Sequence, residues 1–269
     1  MARALAAAVK EARRRRRDVD RPQLHRSVPG AATGADDVFC APSVWIQLKL
    51  DEWNARAETL GGTASTLAAA FTAKLDQRMG RRHGNACDVT TLLTVNDRST
   101  ADDTRAVAVS FTRVGIDPTG VTEDLRAARA AVKQALKSFT ETEDEAAQLV
   151  ALTPFTPKRA WRQLVEYALN DPEQPAVCSN LGDTGPVAIR PDGTLCDAAF
   201  ARGASQHHTR NRLESLGGQL HVYYGTSVEI NMVSVYVCAY HPGSVTTKAE
   251  LRDLAADTLA DFDLAGDIE

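Results

Sequence analysis

Apolar and polar residues alternate from Ser43: Val44, Ile46, Leu48 and Leu50 face one way, Trp45, Gln47 and Lys49 the other. That two-residue period predicts a strand. Asp51 then opens a short helix carrying Trp53, Ala57 and Leu60, which Gly61-Gly62 ends. Thr63 is placed to cap a second helix, with Leu67, Phe71 and Leu75 on one face. Val89, Thr91, Leu93 and Val95 predict a second strand that runs into the polar turn Asn96-Asp-Arg-Ser-Thr100. Val107, Val109 and Phe111 predict a third, broken at Asp117-Pro118.

The next helix takes Thr122 as its cap, with Glu123 and Asp124 where the helix dipole favours anions. Its apolar face is Leu125, Ala128, Val132, Leu136 and Phe139, and the acidic stretch Glu141 to Glu145 comes after it in solvent. Pro154 and Pro157 precede another helix with Trp161, Leu164, Val165 and Leu169, closed by Asp171-Pro172. A strand beginning near Ala176 delivers the corner Cys178-Ser-Asn-Leu-Gly-Asp183, and Pro191-Asp-Gly193 has turn chemistry. Gln219 to Tyr224 and Val228 to Ala239 predict a hairpin around Gly225-Thr-Ser227. Its second strand is apolar on nearly both faces, which predicts a central strand covered on both sides. Thr247-Lys-Ala-Glu250 is a capping box for a last helix with Leu251, Leu254, Ala255, Thr258, Leu259 and Phe262 on one face. Mixed strands and helices without an internal repeat predict an α/β two-layer sandwich, a mixed sheet covered by helices, over residues 42–269.

Residues 1–41 differ from this pattern. Arg13 to Arg17 is a block of like charge, and Pro22, Pro29, Gly30 and Gly34 punctuate the stretch after it, so the segment reads as a basic, flexible linker or helix remnant. No aromatic residue is interleaved with the arginines for base stacking, and the net charge of −4 offers no global attraction to nucleic acid. Of 269 residues, 43% are hydrophobic and 25% charged, the balance of an ordinary globular protein. No apolar run reaches the roughly 18–20 residues of a membrane helix. The five cysteines, Cys40, Cys87, Cys178, Cys196 and Cys238, are scattered without a Cys-x-x-Cys pair, which fits reduced thiols in a cytoplasm.

Candidate chemistry is sparse. His207-His208 is the one histidine pair, and neither Cys196, Asp197 nor His221 stands at metal-motif spacing from it, so no metal site is assigned. Cys178 reads as a small buried filler rather than a nucleophile. Asn96, Asp97 and Arg98, with Asp103 and Arg105, read as a polar loop fixed by internal Asp–Arg pairing. There is no Walker loop, no Gly-x-Gly-x-x-Gly and no Gly-x-Ser-x-Gly. What remains is the polar corner at Ser179, Asn180, Gly182 and Asp183.

Several stretches occur in a familiar order: Gly61-Gly-Thr-Ala-Ser-Thr-Leu67, Leu92-Leu-Thr-Val-Asn-Asp-Arg98, Asp103-Thr-Arg-Ala106, Cys178-Ser-Asn-Leu-Gly-Asp183, and the closing hairpin and helix. Together, over about residues 43–266, they resemble the C-terminal half of the CoA-dependent acyltransferase superfamily, the chloramphenicol-acetyltransferase-like fold. Within it the chain is most similar to actinobacterial wax ester synthase/diacylglycerol acyltransferase-like and condensation-domain-like proteins. The resemblance implies a lobe of a two-lobed enzyme with a tunnel between lobes, lined here by Ser179, Asn180, Gly182 and Asp183. It implies an acyl-CoA or acyl-carrier thioester as co-substrate, an alcohol as acceptor, and no bound cofactor. In that family a His-His-x-x-x-Asp-Gly motif in the N-terminal lobe supplies the base. This sequence departs from it: His207-His208 is followed by Arg212 and Leu213 where Asp and Gly are required, and His25, His83, His221 and His241 lack the motif as well. The expectation is therefore an O-acyltransferase lobe of wax ester/triacylglycerol type with no catalytic residue of its own. It would work with a separate N-terminal lobe or self-associate. The alternative is a non-catalytic binding module or a truncated gene product.

Overall fold

The alternation at Val44, Ile46 and Leu48 does fold as a strand, and its apolar side faces the centre of the domain in a computed structural model of the protein. The structure describes residues 39–81, 88–98, 103, 108–141, 158, 175–184, 190, 192–195 and 209–269. The expected helix through Trp161, the histidine pair at 207–208, Arg105, Cys87, Cys196 and the arginine block lie outside them.

Seven strands form one mixed sheet: β1 (Ser43–Lys49), β2 (Val89–Asn96), β3 (Val109–Ile116), β4 (Ala176–Asp183), β5 (Gln219–Ser227), β6 (Met232–Tyr240) and β7 (Asp267–Ile268), in the order β3-β2-β4-β5-β6-β1-β7. Most neighbours are antiparallel, but β4 runs parallel to both β2 and β5. Helices α1 (Leu50–Thr59), α2 (Ala64–Met79), α3 (Arg126–Glu141) and α5 (Lys248–Asp261) bury their apolar sides with Val44, Ile46, Val222, Val235 and Val237 in one continuous core. This is the α/β two-layer arrangement expected. The short α4 (Arg210–Ser215) belongs elsewhere: Leu213 joins Ala41 and Tyr240 in a small separate cluster, and the Arg210 guanidinium lies 4.5 Å from the centre of the Phe39 ring.

α2 is alanine-rich and almost wholly enclosed; Ala68, Ala69, Ala70 and Ala73 let it press close to the sheet. Thr63 caps it, accepting a hydrogen bond from Thr66 N. α5 carries the predicted capping box. Glu250 Oε2 accepts from Thr246 N at 2.8 Å, Thr246 Oγ1 at 2.9 Å and Thr247 N at 2.9 Å, while Glu250 N donates to Thr247 Oγ1. Those donors hold the Glu250 carboxyl at about 2, against a usual value near 4.5. A carboxylate depressed in this way contributes stability that is complete above its ordinary range and is lost as pH falls toward the folded value. The Tm gap between the wild type and Glu250→Gln should therefore shrink as pH is lowered from about 5 to about 2. A gap independent of pH over that window would contradict the assignment.

Four expectations are corrected. First, β3 turns the other way: Val109 and Phe111 are exposed, Phe111 at 56%, and Val114 and Ile116 are the buried residues. Register explains this, because Val114 lies opposite Thr91 and Ile116 opposite Val89, both on the helix side of β2. Second, Thr122 does not cap α3. The Leu125 N–H is taken by the Leu60 carbonyl at 2.8 Å, so the helix starts at Arg126, whose N–H donates to Asp124 Oδ1 at 2.8 Å. Third, the hairpin turn is not at Gly225; β5 continues to Ser227, and residues 228–231 make the turn, leaving Val228 65% exposed. Gly225 is needed inside the strand, where a Cβ would meet Thr184 Cγ2 at 3.1 Å. Fourth, β6 is central but not covered equally on both sides: Val233, Val235, Val237 and Ala239 are buried, while Met232, Ser234, Tyr236 and Cys238 are only half-buried. The latter face carries a ring ladder, Trp45 against Tyr236 at 5.7 Å and Tyr236 against Tyr223 at 6.2 Å.

Candidate functional site

β4 pairs with β2 only through Ala176, Val177 and Cys178, opposite Thr91, Leu92 and Leu93. Beyond that point no ladder joins the two parallel strands, and the chain enters the Ser179–Asp183 corner. On its other side β4 stays with β5 as far as Asn180 opposite Tyr224, then slips in register before Asp183 meets Thr226. A register slip of this kind re-aims side chains at a strand end.

Because side chains alternate along β4, the corner residues divide between two faces. Cys178 points into the core under α2 and is buried; burial pushes its thiol up to about 11, with the Thr72 hydroxyl drawing it partly back. It is a neutral packing group, not a nucleophile. Ser179 points to the opposite face, where its Oγ lies 2.9 Å from Thr94 Oγ1 on β2. Asn180 returns to the helix side. Its Oδ1 accepts from Gly182 N at 2.8 Å, and its Nδ2 donates to Ser65 Oγ at 3.3 Å. Gly182 has φ +74, a conformation that side chains with a Cβ adopt at a cost, and its carbonyl accepts from Thr226 Oγ1. The Asp183 side chain is exposed.

The structure thus brings Asn180 together with two residues that sequence reasoning missed. Ser65 stands in the first turn of α2, and its Oγ is 2.6 Å from Tyr224 Oη. The Tyr224 ring is 2% exposed, and its phenol is pushed up to about 12 by burial, with the Ser65 hydrogen bond acting the other way. At neutral pH it is a protonated hydrogen-bonding group and not a base. Ser65 and Asn180 are open to solvent, and the buried Tyr224 phenol lies in contact with Ser65. The one available signal was a serine in the first turn of an alanine-rich helix.

The polar loop after β2 is separately anchored. Asn96 Oδ1 accepts from Arg98 N at 3.0 Å, Arg98 Nε donates to the main-chain oxygen of Asp103 at 3.2 Å, and Ser110 Oγ donates to Asp97 Oδ2. Among the histidines described, His221 lies on the Ser179 face edge-on to Tyr223, and His241 sits in the turn after β6, its pKa lowered by burial. Among the described residues no cluster of His, Cys, Asp and Glu is arranged for a metal, and no helix is long and apolar enough to cross a membrane. Leu213, at the position where the family motif needs glycine, is a packing residue of α4.

No protein-family model and no curated protein sequence matches the chain. Solved structures do. The trichothecene 15-O-acetyltransferase TRI3 from Fusarium sporotrichioides superposes with a TM-score of 0.55 at 13% identity, over 84% of this chain and 46% of that one. TRI101 of F. sporotrichioides, solved with coenzyme A and T-2, gives 0.52 at 11% identity, over 90% of this chain and 56% of that one. A condensation-domain structure from the enacyloxin polyketide synthase gives 0.47, too low to add weight. The chain spans about half the length of these two proteins, and the likeness establishes a shared fold.

Proposed function

We propose that residues 42–269 form one lobe of an acyl-CoA- or acyl-carrier-dependent O-acyltransferase, passing a fatty acyl group to an alcohol in a wax ester or triacylglycerol type of reaction. The observation that carries this reading is the superposition of most of this chain on about half of two structures, one an O-acetyltransferase and the other solved with coenzyme A. In such a transfer the alcohol oxygen attacks the thioester carbonyl, a base takes the hydroxyl proton, and the C–S bond breaks to release a thiol. A general base must stand within hydrogen-bond reach of the attacking hydroxyl. The corner residues are unsuited to that role, since Ser179 is tied to Thr94, Asn180 is an amide, and Tyr224 stays protonated. On this reading the base is supplied from outside the corner, by a second lobe, and this lobe supplies one wall of the acyl tunnel at Ser179–Asp183. The scattered spacing of the five cysteines supports a reducing cytoplasm as its place of work.

Titrating the chain with palmitoyl-CoA while following thiol release tests the reading. Saturable binding without thiol release is expected. Release above the rate in buffer would place a base in this chain and overturn the division of labour. Absence of binding would favour the second reading, an interaction module without acyl chemistry, for which exposed Phe111 and Leu181 are the supporting surface.

A further inference from the structure

The Ser65 and Tyr224 hydroxyls carry one more proton than their own contact consumes. Two O–H groups lie 2.6 Å apart, so one donates to the other, and Asn180 Nδ2 adds a further donor to Ser65 Oγ. Whichever hydroxyl donates inward, the second proton has no acceptor among the described residues. Every group bonded to the pair is neutral, and none is a cation. A cluster of neutral donors with a spare proton suits an oxygen that only accepts and carries no full charge, which is the character of a carbonyl. We propose that Ser65 and Tyr224, held in place by Asn180, form a hydrogen-bonding site for the carbonyl oxygen of the acyl thioester, an assignment that rests on the acyl-transfer reading above. The site lies at the end of β4, where the β2–β4 ladder stops, and the exposure of Ser65 and Asn180 lets a thioester reach it from solvent. Ser179 takes no part in it, because it faces the other side of the sheet.

Two ligands isolate the carbonyl: palmitoyl-CoA, and S-hexadecyl-CoA, the thioether with a methylene in place of the C=O. The full chain should bind the thioester about fivefold more tightly than the thioether, the effect of one net hydrogen bond. Ser65→Ala, an exposed change in a capped helix, should bring the two affinities together while leaving thioether binding unchanged. Tyr224→Phe, which keeps the ring in the core, should do the same. Equal binding of both ligands by the wild type, or a preference that survives both substitutions, overturns this assignment and leaves the acyl-transfer reading standing. Failure of both ligands to bind the wild type removes both readings.

Discussion

Asp76→Ala is expected to lower the free energy of unfolding by about 3–5 kcal/mol, measured as a shift in the denaturant midpoint. Asp76 is fully buried on α2 and the Arg81 side chain is 4% exposed, with Arg81 Nη1 donating to Asp76 Oδ1 at 2.8 Å. Arg81 lies just past the end of α2, so the pair folds the chain leaving the helix back against its last turns. Removing the carboxylate takes the Asp76 charge away from a buried guanidinium, which costs far more than the pair itself contributes. The double change Asp76→Leu/Arg81→Met separates the two effects. It removes both charges and should restore most of the wild-type midpoint, because an apolar pair of similar volume often matches a buried ion pair. A single variant with a wild-type midpoint would show that water or another group replaces Asp76 with ease.

Gly218→Ala should cost at least about 3 kcal/mol, since backbone strain and a steric clash act together. Gly218 sits at φ +97 between α4 and β5, and a Cβ there would come within 2.3 Å of the Tyr240 carbonyl oxygen and 3.2 Å of His241 Cα. Both are main-chain atoms of β6 and its exit, so no side-chain rotation relieves the contact. Gly217 is the internal control. It has φ +72 and open space where its Cβ would go, so Gly217→Ala incurs the left-handed penalty alone, about 1–2 kcal/mol. Thermal melts of the two variants should differ clearly; equal losses would mean that the β6 backbone yields.

The parts of this fold that were legible in the sequence are those whose information is local. The β1 alternation, the Thr63 and Thr247 caps and the apolar stripes of α2 and α5 each lie within a few neighbouring residues, and each reappears in the structure. β3 failed because an edge strand with apolar residues on both parities gives no local choice of face; the choice was made by Thr91 and Val89 across the ladder. The turn failed because glycine has two uses, and at position 225 a close approach to the β4 corner needed it more than a hairpin did. The corner itself was visible as a strand end. Its division between two faces follows from simple alternation, whereas Ser65 and Tyr224 reach Asn180 only through the packing of α2 on β4 and β5, which no spacing rule encodes.

β1 is flanked by β6 and β7, and among the described residues it pairs with nothing nearer in sequence, so its first partner is made roughly 190 residues later, a separation that makes folding slow. During synthesis, Val44, Ile46 and Leu48 leave the ribosome long before the edge that will cover them exists. They must wait as an unpaired apolar strand, the kind of segment that chaperones hold and that aggregates when they do not. The first of the described strands in sequence is thus among the last to be placed, and the yield of this protein in a cell will depend on how that wait is managed.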